Sequence, residues 1–436
     1  MNGLLKKIIT ILLVITMLAA VPAASACKGK SNTGSVTEPE KPEPGKPDPD
    51  EPEKPDPGKP DPDNPEPSEE PKFSDNTYTI TLSDNVVKSY LAAETDGEEF
   101  DIIYPNRNSS HDTQATLTIT PKGSAYSLKY ADNDKLENSR ELRVNSDGKF
   151  IFGGTLIPDT VYYYEISDNG GKATERGTIT TDKTFLRNVN VAGARNIRDL
   201  GGWTTENNDK VVYGKIYRGA KLNLRNGNPG ITDAGKKTMR EDLGIKTEID
   251  LRFTDVDDGS QTESILGENV KYVKAPCSQY GMVLPKFKGY GLKKRGYVKG
   301  SKESIKKIFT TLADENNYPV YFHCNAGADR TGTIACLIEA ILGVADEDMI
   351  KDFELTSFSA YGKRYRGEIK DGKFINGVMQ DNDDNFVAFG MFMDDTVRFY
   401  GDDGDSFSAA AEKFLKNACG VTDEEISSVR NVLLGE

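Results

Sequence analysis

Hydrophobic and polar positions divide the 436-residue chain into four regimes. Ile8 to Ala20 is a continuous apolar run, preceded by Lys6 and Lys7 and followed by the small residues Ala24, Ser25 and Ala26. A charged start, a short apolar core and a small-residue end predict a signal peptide over residues 1–26. The run is too short and wrongly flanked for a retained membrane span. Apolar periodicity is lost between Glu38 and Pro71. Residues 74–182 then alternate strand-like runs (78–82, 115–119, 177–180) with turns rich in Asp, Asn and Gly. From residue 185 the pattern switches again. Tyr318 to Phe322 reads as a strand. Ile334, Ala335, Leu337, Ile338, Ile341 and Leu342 read as a buried helix stopped by Gly343. Ser301 is placed to cap a helix with Ile305, Ile308, Phe309 and Leu312 on its inner face.

Composition changes the picture mainly in the second regime. Residues 38–71 repeat Lys-Pro-Asp-Pro and Lys-Pro-Glu-Pro units, which cannot build a core. Dense proline predicts an extended stalk at about 3 Å per residue, on the order of 100 Å long. Thirteen Asp/Glu against four Lys give this stalk −9 of the chain's net −14, so the acidity belongs largely to the stalk. Cys27 directly follows the predicted cleavage site. The small residues before it resemble a bacterial lipobox, which implies a diacylated Cys27 and a lipid anchor. Ordinary cleavage after Ala26 is the alternative, because Ala24 replaces the more usual leucine. Anchor plus stalk imply a protein on the outer face of a bacterial membrane, of Gram-positive type, or a secreted one.

The chemistry concentrates at residues 323–332. Strand, loop and helix follow one another there, and Cys324 stands six positions before Arg330. A thiol at the positive end of a helix, among backbone amides, is favoured as the reactive thiolate. The loop His323, Asn325, Ala326, Gly327, Ala328 and Gly332 suits a cradle for phosphate oxygens, with Arg330 as a bidentate clamp. Cys324 would attack phosphorus, and Thr331 would donate a hydrogen bond to the sulfur. The alternative is a buried cysteine and a surface arginine six apart by chance.

This loop resembles the signature loop of protein tyrosine phosphatases. The flanking sequence is similar to the bacterial tyrosine phosphatase family with secreted and lipoprotein members. Residues 196–202 (Asn-Ile-Arg-Asp-Leu-Gly-Gly), 216–220, 249–252, 342–353 and 420–426 carry the likeness, over residues 185–436. The resemblance implies a cysteine phosphatase fold, an α/β domain with a parallel-type central sheet flanked by helices. Leu156 to Tyr164 resembles the Leu-x-Pro-x-Thr-x-Tyr corner of fibronectin type III domains, with Tyr162 as the corner tyrosine. That implies an all-β immunoglobulin/fibronectin-like sandwich over residues 74–182, after the Cys27 and stalk segment of 27–73. Many relatives carry lysine where Ala328 stands, and its absence argues against a lipid substrate.

The general acid is less obvious. Many tyrosine phosphatases carry an aspartate on a separate loop, here after the expected strand 270–274, yet Ala275 to Leu312 holds only Glu303. Asp329 resembles the aspartate that related bacterial enzymes use inside the loop, and a carboxyl there can act as acid and base. Its alternative role is to pair with Arg330. Asp199, beside Arg198, is the second candidate, with a turn role beside Gly201 as its alternative. Nine Lys/Arg between Lys286 and Lys307 form a basic stretch that could steer phosphorylated substrate, or merely a solvated lid. With two histidines, three-His zinc sites are excluded, and Arg330 with the loop amides removes the need for a metal or other cofactor. An acidic chain without interleaved aromatics argues against nucleic acid. Cys277 falls in the loop that approaches the active site in relatives, and the resemblance leaves room for a reversible, protective Cys277–Cys324 disulfide.

The sequence therefore predicts a cell-surface phosphatase acting on a phosphorylated protein, phosphotyrosine first, or a small phosphomonoester. Phytate, an inositol polyphosphate or a phosphoinositide is the alternative substrate. An inactive cell-wall-binding lipoprotein is the alternative of another class.

Overall fold

Residues 71–435 are described in a computed structural model, apart from 108, 112–115, 119–124, 184–187, 224–229, 255–258, 284–296, 360–363, 371–372 and 376–384. The signal peptide, Cys27, almost all of the stalk and the basic residues Lys286 to Arg295 lie outside the described residues. In chain order the first elements are β1 Thr77–Ile80, α1 Asn85–Leu91, α2 Asp96–Asn106, β2 Thr116–Thr118, β3 Ala125–Ala131, β4 Arg140–Arg143, β5 Lys149–Ile151, β6 Val161–Asp168 and β7 Ala173–Thr181. There follow β8 Arg198–Asp199, β9 Ile216–Gly219, α3 Asp233–Lys237, β10 Thr247–Asp250, β11 Lys271–Lys274, α4 Tyr297–Leu312, β12 Val320–His323, α5 Asp329–Leu342 and α6 Asp346–Glu354. The last are β13 Glu368–Lys370, β14 Lys373–Ile375, α7 Asn385–Tyr400, α8 Phe407–Cys419 and α9 Asp423–Leu434.

The sheet that carries the signature loop runs β11-β10-β12-β9-β8. Its four longer strands are parallel, and the short edge strand β8 is antiparallel to β9. Alternation along the strands divides two hydrophobic clusters between its faces. Ile216, Val320 and Phe322 join the large helical core, whereas Tyr217 and Tyr321 join a smaller cluster with Met239 and Leu243. Helix α5 is buried along nearly its whole length and stops at Gly343, whose φ of +79° forms the left-handed cap. Ser301 is not the cap of α4, which starts at Tyr297; its Oγ accepts from the Ser278 amide at 2.9 Å instead.

The amino-terminal strands form a five-stranded sheet, β1-β7-β6-β3-β4, and a two-stranded one, β2-β5. Leu117 and Phe150 of the small sheet share a core with Leu128, Tyr164, Ile166 and Ile179 of the large one. Tyr162 Oη accepts from the Ile157 amide at 3.0 Å. The expectation of an all-β segment at 74–182 needs correction, because residues 85–106 are mostly helical. Asp84 and Thr95 cap α1 and α2 through bonds to the Val87 and Glu98 amides, and Asp96, Glu98 and Glu99 suit the positive end of α2. The inner residues Val87, Tyr90 and Ile103 are buried in the large helical core, not between the sheets.

Candidate active site

Strand β12 ends at His323 and α5 begins at Asp329, so residues 324–328 cross from a strand's carboxyl end to a helix amino terminus. Gly327 permits the crossing. Its φ is +70°, and a Cβ there would stand 2.3 Å from the Gly219 carbonyl carbon and 2.6 Å from the Ala220 nitrogen. The loop's carbonyls are held from outside. Asn196 Nδ2 donates to Ala326 O at 3.1 Å, and the Lys221 amide to Asn325 O at 3.3 Å. Arg218 Nη2 donates to Gly327 O at 2.8 Å and Ala328 O at 3.3 Å. A planar trans peptide sets N–H opposite C=O. Each carbonyl bonded in this way leaves the amide of the next residue, 326 to 329, turned away from that partner, an arrangement suited to an anion cradle.

Arg218 is itself fixed by a buried ion cluster. Asp352 of α6 accepts from Arg198 Nε at 2.9 Å and from Arg218 Nη1, and all three side chains are buried. Arg198 also donates to Asn196 Oδ1 at 2.8 Å, closing a circuit from α6 through β8 and β9 to the loop. Burial pushes the Asp352 carboxyl up, but the two guanidinium groups outweigh it and hold it below the ordinary carboxylate range. Arg198, a secondary candidate for catalysis, is thus part of the scaffold. Arg218 and Asp352 were not picked out as site residues, since only the fold brings 218 and 352 together.

Cys324 lies at the bottom of the loop, 2 % exposed. Asn325, Ala326, Asp329 and Arg330 are partly exposed. His323 is fully buried; its Nε2 meets Glu248 Oε1 at 2.9 Å and its Nδ1 faces Cys324 O at 3.2 Å. Thr331 does not bond the sulfur: its hydroxyl is buried without a hydrogen-bond partner among the described residues, because the first turn of α5 places it inside the core. Asp199 accepts from the Gly201 and Gly214 amides at 2.9 and 2.8 Å, the turn arrangement given as its alternative. Cys277 and Cys324 are both free thiols. Burial, with Cys324 adding and Arg330 opposing, pushes Cys277 up to about 12, which leaves it a poor attacking thiol. Lys306 pairs with Glu425, and Lys307 Nζ donates to Lys274 O at 3.0 Å. These two lysines of the basic stretch serve helix packing.

Two groups around Asp329 were not picked out in the sequence. Tyr280 Oη donates to Asp329 Oδ1 at 2.7 Å. Arg364 donates from Nε to Oδ1 at 2.6 Å and from Nη2 to Oδ2 at 3.0 Å. Asp329 is therefore gripped by Arg364, 35 residues downstream. Burial raises its pKa, yet the bonds and charge of Arg364, the Tyr280 hydroxyl and the charge of Arg330 together lower it below the ordinary value. Burial and the Asp329 charge hold the Tyr280 phenol well above its own ordinary value.

Residues 189–435, more than half of the chain, match the model of the tyrosine phosphatase family. The chain belongs to that family. A Cupriavidus necator protein with tyrosine-protein phosphatase in its name is 28 % identical over 171 residues, 36 % of this chain and 59 % of that protein. A tyrosine-protein phosphatase of Nostoc commune is 28 % identical over 141 residues, 30 % of this chain and 47 % of that one. The chain thus spans about half to three fifths of the length of these curated relatives. Among solved structures, the core catalytic domain of the PP-IP phosphatase SIW14 from S. cerevisiae aligns at 19 % identity, covering 36 % of this chain and 78 % of that one. Its TM-score is 0.24, too low to carry an argument.

Proposed function

We propose that this member of the family is an exported phosphatase that hydrolyses phosphomonoesters, protein phosphotyrosine first, through a cysteinyl-phosphate. The reading rests above all on one observation: the buried Cys324 opens a loop whose carbonyls are bonded by Asn196, Arg218 and the Lys221 amide. The amides so released and Arg330 bind the phosphoryl oxygens and stabilise the charge that develops as the transfer proceeds. In the first step the Cys324 sulfur forms a bond to phosphorus while the ester P–O bond breaks, and the leaving oxygen takes a proton from Asp329. In the second, water attacks phosphorus as the S–P bond breaks, and Asp329 takes the water's proton. The grip of Arg364 keeps Asp329 ionised at neutral pH, which suits the second step and makes the first depend on acid. The Cys27 lipid anchor, the stalk and a surface location complete the proposal and rest on the sequence alone.

The test is turnover of p-nitrophenyl phosphate by the full chain, wild type beside Cys324→Ser, followed by a phosphotyrosine peptide against phytate. Turnover abolished by Cys324→Ser, with the peptide preferred, is the expected result. Preference for phytate would overturn the protein substrate. A folded wild type with no turnover in reductant would overturn the enzyme reading and leave a binding lipoprotein. Loss of fatty-acid labelling in Cys27→Ala checks the anchor.

A further inference from the structure

The family match begins at residue 189, but the two residues that follow Arg364 in the chain touch side chains far upstream of it. Arg364, which grips Asp329, stands two residues before Arg366. The Arg366 side chain is only 7 % exposed and is surrounded by carboxylates from two parts of the chain. Glu354 at the end of α6 accepts from its backbone amide, from Nε at 3.1 Å and from Nη2 at 3.0 Å. Glu347 pairs with Nη2 at 2.7 Å. From α2, Asp96 Oδ1 accepts from Nη1 at 2.8 Å, and Glu99 Oε2 forms an ion pair at 3.2 Å. Tyr90 of α1 donates to Glu354 at 2.7 Å, and Lys351 reaches Glu99 at 3.2 Å. Between the two arginines, the Tyr365 ring meets Phe100 and Tyr104 of α2 edge-on, with centroids 5.9 and 6.2 Å away.

These contacts do more than fill a core. Asp96, Glu99 and Glu347 come close enough to bind a metal ion, yet the Arg366 guanidinium occupies their midst. Arg366, Glu99 and Glu354 are buried, and displacing them leaves a buried charge unpaired, whereas Asp96 and Glu347 close the cluster from its exposed side. The fixed geometry passes through Tyr365 to Arg364, whose own amide is held by Ser357 Oγ at 2.9 Å. We propose that α2 is a positioning element of the active site, which sets Arg364 on Asp329 through Arg366 and Tyr365. The inference rests on the acid/base reading of Asp329 given above. It assigns α2 a part in positioning the active site.

The charged and titratable groups that face Asp329 are Arg330 on its own helix, Tyr280 from the loop after β11 and Arg364 from the segment after α6; Cys324 in turn faces Tyr280 and Arg364. Of these, α2 fixes only Arg364. The experiment is the pH dependence of kcat for p-nitrophenyl phosphate, in full chains carrying Asp96→Asn with Glu99→Gln, Arg364→Lys, or all three changes. Because the protonated form of Asp329 drives the first step, loosening Arg364 raises its pKa and moves the limb that falls with rising pH to higher pH. The α2 double variant is expected to shift that limb upward by about half a unit or more. It should also lower kcat about tenfold at little cost in KM, the size expected of a misplaced group. In the Arg364→Lys background the α2 changes should add almost nothing, because they act through Arg364. An unmoved limb in the folded double variant, or effects that simply add, overturns the inference and leaves the phosphatase reading intact. Absence of Cys324-dependent turnover in the wild type overturns both.

Discussion

Arg364 holds Asp329 by both edges of its fork, Nε on Oδ1 at 2.6 Å and Nη2 on Oδ2 at 3.0 Å, while Tyr280 bonds the same Oδ1 at 2.7 Å. A carboxylate so bound has a lowered pKa, so the residue that must give a proton to the leaving group is held without it at neutral pH.

This relationship fixes the expected pH dependence. Asp329 is protonated only below its lowered pKa, so the first step weakens as pH rises above that point. Arg364→Met removes the opposing charge and should move this limb to higher pH by about 1–3 units. The full pH profile of kcat measures it, and a limb that stays in place or moves to lower pH counts against Asp329 as the acid.

Gly327 offers a backbone test. Alanine there would need a left-handed conformation and a Cβ within 2.6 Å of three backbone atoms of Gly219 and Ala220, so the loop must move. Gly327→Ala is expected to cost about 1–3 kcal/mol of stability and to lower kcat/KM roughly 100-fold through displaced amides. Urea unfolding and steady-state kinetics read the two effects separately. Wild-type kinetics in this variant would mean that the cradle is not what binds phosphate.

The ion cluster below the loop predicts an acid-labile fold. Asp352 and Asp250 are both held below the ordinary carboxylate range. Burial opposes this in each case. Arg198 and Arg218 outweigh it at Asp352; His323 and Arg252 do so at Asp250. A depressed pKa contributes stability above the unfolded value of about 4, lost as pH falls towards the folded one. Urea midpoints should therefore fall steeply below about pH 4, less so in Asp352→Asn. At neutral pH, Arg218→Met leaves Asp352 and two loop carbonyls short of a partner and should cost about 3–5 kcal/mol. Arg218→Lys should not restore it, since one ammonium cannot serve both Asp352 and the loop.

Local chemistry made much of this protein legible in its sequence. The run from Tyr318 through Arg330 to Gly343 specified strand, loop and helix, because β-branched and aromatic residues, a glycine loop and a helix-spaced apolar stripe each act over a few positions. The strands at 77–80 and 116–118, which overlap the runs read at 78–82 and 115–119, were legible for the same reason. Helices α1 and α2 were not singled out, although Asp84 and Thr95 mark their starts, since short helices between strands leave a weak period. The contacts that set the site could not be read at all. Arg364 on Asp329, Arg218 on residues 327 and 328, and Asp96 on Arg366 join residues 35, about 110 and 270 positions apart. Charges along a chain show no partner until packing removes water and makes pairing obligatory. The sequence by itself determined which residues could perform the chemistry, and only the tertiary structure decided which of them hold the others in place.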